Sequence, residues 1–459
     1  MHLAARTLLA LAALAVAPVA AAASPSTSIG INVLLRTEPT AALLADLGAH
    51  GKVRDVVAEL RAVTLQARAG ELAAIAALPY VLSATPDAAR NGGPVDTVAA
   101  ADFSGGISTW DQDAIDATDF GAGRVAAYDG SGVYVAVLDT GLLDSWRQYF
   151  PQERIATQYA LALGGGGGEN GNVSTPTNKW EHDQNSHGTH VTSTILGYSL
   201  RGTPVNGTAP LATVIPVKVL NQNGSGWSSV VARGITYVAN LKKGPLADSP
   251  VVINMSLGGP SLDAMEKAAI DYAIEAGVLI VASAGNEGTA GMGYPGAYAP
   301  VISVAASGWV GEWSRLASGA VNGGWWNNRD VADPTSSDDF YIADFSSRAL
   351  AGQDLDVAAP GSWVVGPYQT NSGQTSYFFL GGTSMASPHV AGIVALMAQR
   401  SPGLTQAQAE GYLVSAALPL PAGCRMVNDP RGVAGQVCWG DDATGAGLIT
   451  VGRALAAMP

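Results

Sequence analysis

The chain has 459 residues, 47% of them hydrophobic and 13% charged, with 56 glycines and a formal net charge of −13. Such a length allows more than one domain and a sizeable core, and the composition excludes a disordered chain. The acidic balance excludes nucleic acid as a general partner, because neutralising phosphates takes clustered Lys and Arg.

The first residues, Met1 to Arg6, are basic, an apolar run follows from Leu8 to about Val19, and Ala21 to Ala23 precede Ser24-Pro25. A basic start, a short apolar core and a small-residue end predict a signal peptide over 1–23 and a secreted protein, extracellular or periplasmic. The run falls short of the roughly 20 apolar residues that a spanning helix needs, and no second uninterrupted run of that length follows. No stable membrane anchor is therefore expected.

Residues 24–94 read as a small α+β unit with a linker. Ile29, Ile31, Val33 and Leu35 alternate as in a strand, and an Ala/Leu-rich helical pattern follows from about Pro39. Val53 to Leu60 is helical or mixed, Ala62 to Ala67 a strand, Glu71 to Leu78 a helix, and Tyr80 to Ala84 a strand. The turn-rich stretch Thr85 to Pro94 reads as a linker.

From residue 107 to 459 the texture changes. Tyr134 to Leu138, Thr213 to Val219, Val251 to Ile253, Val278 to Ala282 and Val301 to Ala305 are short apolar runs. Helical segments such as Val230 to Lys242 and Leu262 to Glu275 alternate with them. This predicts an α/β fold with a mostly parallel sheet flanked by helices on both faces, and chemistry at the carboxyl ends of its strands. Gly164 to Gly168, with a polar tail to Lys179, reads as a flexible surface loop. Trp309 to Asp339 reads as an insertion with no assigned role. Cys424 and Cys438 are the only cysteines, and in an oxidising compartment they predict one disulfide worth about 3 kcal/mol. Two thiols alone underfill zinc's four positions.

Gly381 to Gly392 is followed by the apolar run Ile393 to Met397. A helix apolar on all sides is a buried helix, and Ser384 presents a hydroxyl at its N-terminus. Taken alone Ser384 would be an N-cap. Pro388 lacks the N–H that would bond the Ser384 carbonyl, which is tolerable near a helix start. Asp139-Thr140-Gly141 follows a strand, but an aspartic protease needs a second such carboxylate, and the chain has no other DTG or DSG. In His187-Gly188-Thr189-His190-Val191 the two histidines are three apart, yet the zinc pattern H-E-x-x-H is absent. His182, His190 and His389 read as structural. Asn286, in Ala282 to Gly288, would by itself mark a turn.

Together, an Asp, a His and a Ser lie at the ends of separate elements in the chain order of the subtilisin triad. On Val137 to Gly141, His187 to Val191, Ala284 to Gly288 and Gly382 to Gly392, the chain resembles the subtilisin-like serine proteases, the subtilase family or peptidase S8. The resemblance covers residues 107–459. It implies a secreted serine endopeptidase with Ser384 as nucleophile, His187 as general base and acid, Asp139 orienting it, and Asn286 in the oxyanion hole. The unit 24–94 then looks like the ferredoxin-like inhibitory propeptide of a self-processing zymogen, so its own propeptide and peptide or protein substrates are the implied partners.

By the same resemblance, Ser256, Leu257 and Gly258 look like one edge pairing with an extended substrate, and Ser225 and Gly226 like the opposite rail. Gly293 aligns with the floor of the S1 pocket, which implies large apolar or aromatic P1 residues and otherwise broad specificity. No cofactor is implied for catalysis. Structural calcium is implied for the family, but its ligands are unassignable here, because Gly197 to Pro210 does not reproduce the family's asparagine-rich calcium loop. Ser228 stands where relatives often place an aromatic in S4, beside Trp227, which leaves the S4 preference open. The alternative reading is a catalytically silent subtilase fold used as a secreted binding module.

Overall fold

A computed structural model describes residues 24–459 apart from 95, 100–107, 121–122, 167–170, 316 and 322–329. The signal peptide expected over 1–23, the end of the glycine run and part of the 309–339 insertion lie outside the described residues.

Strand residues alternate between two faces of a sheet, and here both faces are apolar. Val135 and Val137 enter one hydrophobic core, while Ala136 and Leu138 enter another on the opposite face. The eight-stranded sheet that separates them runs Leu161–Ala162, Thr213–Lys218, Tyr134–Asp139, Val251–Met255, Val278–Ser283 and Ile302–Trp309. Val357–Pro360 and Phe340–Ile342 pair with the last of these. Every pairing is parallel except that of Phe340–Ile342. The helices His187–Leu196 and Thr383–Arg400 cover one face, and Ser228–Lys243 and Ala264–Glu275 the other. Among the described residues no helix is long and apolar enough to cross a membrane.

Cys424 and Cys438 face each other across the hairpin of Gly423–Asn428 and Ala434–Trp439 and are joined as a disulfide.

The N-terminal unit is a four-stranded antiparallel sheet in the order Gly51–Val57, Ala62–Arg68, Ser28–Leu35, Val81–Pro86, with helices Ala41–Leu47 and Leu72–Ala76. Its chain order is strand, helix, strand, strand, helix, strand, a split β-α-β arrangement. Its core is Ile31, Val33, Leu47, Val63, Leu65 and Ile75. Two sequence expectations change here. Val53 to Val57 is strand, because its β-branched residues pair with Ala62 to Leu65, and only Ala58–Leu60 turns helically. Thr85 to Pro94 is no free linker, since Ala89–Asn91 forms a strand held on both sides by the larger domain.

Side chains of the N-terminal unit also satisfy helix ends of that domain. Asp263 caps Ala264–Glu275 through the N–H groups of Met265 and Glu266, and its other oxygen accepts from Asn32 and Thr85. Asp87 accepts from the Ser229 N–H at the start of Ser228–Lys243, a helix whose own N-cap residue makes no side-chain capping bond.

Candidate active site

Asp139 ends its strand, and His187 opens a helix that packs against that strand end. Close approach is possible because Gly188 has no side chain: a Cβ there would overlap the Gly141 carbonyl oxygen. The Thr140 hydroxyl accepts from the Gly188 N–H and donates to Asp183, fixing the two segments together. His187 Nδ1 consequently lies 2.9 and 3.0 Å from the two Asp139 carboxylate oxygens, with both side chains fully buried. Nε2 has no hydrogen-bond partner among the described residues.

Burial pushes the Asp183 carboxyl up, against the pull of the Lys218 ammonium. Burial, then the nearby His187, pushes the His190 imidazole down to about 3, and its Nε2 lies 3.1 Å from the Val364 carbonyl. His389 bridges the Met385 carbonyl and Asp111. Both are held inside the structure, as expected for structural histidines, whereas His182 is exposed.

Ser384 is the second residue of the helix Thr383–Arg400, so its N–H is among those left without an intrahelical partner at the positive end of the macrodipole. Its Oγ donates to the Ser256 carbonyl at 3.3 Å. The Ser384 carbonyl, deprived of a donor by Pro388, accepts from Ser256 Oγ at 2.8 Å. Asn254 and Ser387 complete that chain, with Asn254 Nδ2 donating to Ser256 Oγ and Ser387 Oγ to Asn254 Oδ1.

Asn286 Oδ1 accepts from both the N–H and the hydroxyl of Thr383, at 2.9 and 3.0 Å. With Oδ1 so engaged, Nδ2 is left to donate into a cavity of about 300 Å³ that Asn286, Ser384, Gly293, Leu257 and Gly258 line together.

The remaining predicted positions flank an extended strand. Ser225–Trp227 pairs antiparallel with Ala89–Asn91, and Asn91 exchanges both backbone bonds with Gly258 on the other side. The next residues, Gly92 to Pro94, pass over the cavity beside Ser384, with Gly92 against His187.

Taken with this geometry, the comparisons agree. The Subtilase family model, Peptidase_S8, matches residues 130–446. The chain belongs to the subtilase family. Subtilisin DY of Bacillus licheniformis is 35% identical over 301 residues, covering 65% of this chain and 88% of its own length. Thermitase of Thermoactinomyces vulgaris is 34% identical over 272 residues, covering 59% and 77%. Among solved structures, fervidolysin of Fervidobacterium pennivorans, described as a keratinolytic enzyme related to subtilisin, covers 95% of this chain with a TM-score of 0.64 and 23% identity. This chain spans 61% of fervidolysin's length. Sphericase covers 76% of this chain and 100% of its own, with a TM-score of 0.54 and 26% identity.

The chain is a subtilisin-like serine endopeptidase, and subtilases typically need no cofactor for catalysis. Calcium finds no carboxylate in Gly197 to Pro210, which instead forms the hairpin Gly197–Leu200 and Thr203–Asn206. Among the described residues, two acidic groups elsewhere could hold a metal ion, Asp113 with Asp119 and Asp330, and Asp354 with Asp356 and Glu410. Neither includes a residue of the Asp139, His187 and Ser384 site.

Sequence reasoning placed Ser256 on the substrate edge and missed its positioning role in this subtilase's site, as it missed that of Thr383. Thr383 orients Asn286, and Ser256 Oγ supplies the donor that Pro388 withholds. The signal for Ser256 was present: a proline four residues after Ser384 leaves a carbonyl that some buried hydroxyl must satisfy.

Proposed function

We propose that the protein is a secreted serine endopeptidase, made as a zymogen in which residues 24–94 are an inhibitory propeptide. The observation that carries this reading is the strand Ala89–Asn91, held between two substrate-like rails and leading Gly92 to Pro94 over Ser384 and His187. A segment of the chain's own N-terminus occupies the path of an extended substrate, and backbone pairing on both sides gives affinity with little sequence selectivity.

In the proposed mechanism His187 Nε2 takes the Ser384 proton as Oγ attacks the substrate carbonyl, and later returns it to the leaving amine. Asp139 holds Nδ1–H toward itself and stabilises the imidazolium. The Asn286 amide and the Ser384 N–H bind the oxyanion. In the zymogen Ser384 Oγ rests on the Ser256 carbonyl, so productive attack requires it to turn toward Nε2. Catalytic hydrogen bonds often tighten only in the substrate complex. The open space around Gly293 supports a preference for large apolar or aromatic P1 residues.

The test is expression of the precursor and its Ser384→Ala variant, each treated with a fluorophosphonate probe and followed by mass. Labelling and loss of the N-terminal unit in the wild type alone are expected. An unlabelled wild type whose processing matches the variant would refute the reading and favour a silent binding module.

A further inference from the structure

Arg90 is a charged residue that has no exposure at all. It sits in the strand between the rails, opposite Gly226, and its guanidinium leaves the N-terminal unit to enter the larger domain. There Nε donates to Glu266 Oε1 at 2.9 Å and Nη2 to Glu266 Oε2, a two-pronged pair. Nη2 also donates to the Ser261 carbonyl at 3.1 Å, and Nη1 to its neighbour's carbonyl at Ala89. Gly259 makes the room, since a Cβ there would fall 2.9 Å from Nη1 and overlap the Ala89 carbonyl. Burial alone would lower the guanidinium's pKa, and the carboxylates of Glu266, Asp263 and Asp87 more than reverse that.

The register gives this contact a meaning for substrates. Gly92 to Pro94 line the cavity beside Ser384, and a Cβ on Gly92 would fall 3.5 Å from His187 Cε1, so in the register proposed here Gly93 stands before the scissile bond. Counting back, Asn91 is third and Arg90 fourth. In the proposed maturation Arg90 would depart with the N-terminal unit, whereas Glu266, Ser261 and Gly259 would stay with the larger domain. Glu266 is also fully buried, and Arg90 is the side chain that its carboxylate meets. A buried carboxylate that loses its cation is costly, and the geometry suits a fork of N–H groups better than the point charge of lysine.

Resting on the endopeptidase reading above, we propose that this enzyme selects substrates with arginine at P4, and that Glu266 is the specificity-determining residue. A substrate whose fourth residue is arginine would place the same guanidinium in the same pocket, whatever its P1 residue. Lysine would bind less well because its single nitrogen cannot make the two parallel N–H bonds of the guanidinium fork, and a neutral P4 residue would leave Glu266 unpaired.

The experiment measures kcat/KM of the processed enzyme on tetrapeptide p-nitroanilides that differ only at P4, as Arg, Lys, Gln or Ala, for the wild type and for Glu266→Gln. A wild-type preference of about 10- to 100-fold for Arg over Ala is expected, carried largely by KM, with Lys between them. In Glu266→Gln the Arg/Ala ratio should fall to within about threefold. Because the readout is a ratio within one preparation, partial misfolding of the variant cancels. Wild-type enzyme that labels with fluorophosphonate but treats all four substrates alike would overturn the proposal and leave the endopeptidase reading standing. A preference that survives in Glu266→Gln would overturn the role of Glu266. Absence of labelling and of hydrolysis for every substrate would instead refute the endopeptidase reading on which the proposal stands.

Discussion

Replacing Ser256 by alanine tests how the helix carrying Ser384 tolerates a proline in its second turn. The substitution strips two buried groups of their partners, the Ser384 carbonyl and Asn254 Nδ2. Each unsatisfied group costs about 1–3 kcal/mol, so Ser256→Ala should cost about 2–6 kcal/mol. For a catalytic domain of roughly 350 residues, with an unfolding entropy of about 2.1 cal/mol/K per residue, this lowers Tm by about 3–8 °C. Pro388→Ala returns an N–H to the helix ladder and can satisfy the Ser384 carbonyl without Ser256. In the double variant the carbonyl's share should therefore be recovered, giving a coupling of about 1–2 kcal/mol. The single cost of Pro388→Ala also contains lost packing, which is why the coupling is the quantity to read. Calorimetry at one scan rate, on enzyme phosphonylated at its serine to prevent autolysis, supplies the four Tm values. Costs that simply add, to within about 0.5 kcal/mol, would refute the idea that Ser256 replaces the donor removed by Pro388.

Two further outcomes follow from packing and burial. In Gly188→Ala the new methyl group would overlap the Gly141 carbonyl oxygen and approach Asp139 Oδ1 to 3.2 Å, displacing His187 from its partner. Turnover should drop by about 100-fold with KM little changed, and steady-state kinetics showing the reverse split would contradict the assigned geometry. Glu312 is fully buried, and burial holds its carboxyl well above the usual range despite bonds from the Trp309 N–H, Tyr341 and Ser362. The unfolded chain releases this proton near pH 4.5 while the folded chain retains it, so the stability it lends is complete below that pH and is lost as pH rises. Glu312→Gln removes the slope of about 1.4 kcal/mol per pH unit, and the Tm difference between variant and wild type should widen from pH 5 to 7. A difference independent of pH would show that Glu312 is ionised in the fold.

Much of the catalytic domain was legible because its strands are buried on both faces and read as short apolar runs between helical periods, as at Tyr134 to Leu138. The candidate triad was legible because each member ends an element inside a motif of small residues, and those residues prove to be the ones that permit close approach, Gly188 most directly. The 85–94 segment was not legible, since a strand that takes its hydrogen bonds from another domain needs no pattern of its own. Arg90 and Glu266 were equally hidden, because a buried ion pair between residues so far apart in sequence looks like two ordinary surface charges. The segment Val53 to Val57 misled because its polar residues, Arg54 and Asp55, broke the alternation that would have marked a strand.

The strand in the cleft ends in Gly92 and Gly93, and a Cβ on Gly93 would meet nothing within 4 Å. In the proposed zymogen the chain is thus gripped by its backbone and by Arg90, while the pocket that would choose P1 stands vacant. Self-inhibition and P1 choice are then separate traits. Mutation around Gly293 could carry the enzyme to new P1 residues over evolutionary time without releasing it from its own propeptide, whereas drift at Glu266 would have to be matched at Arg90.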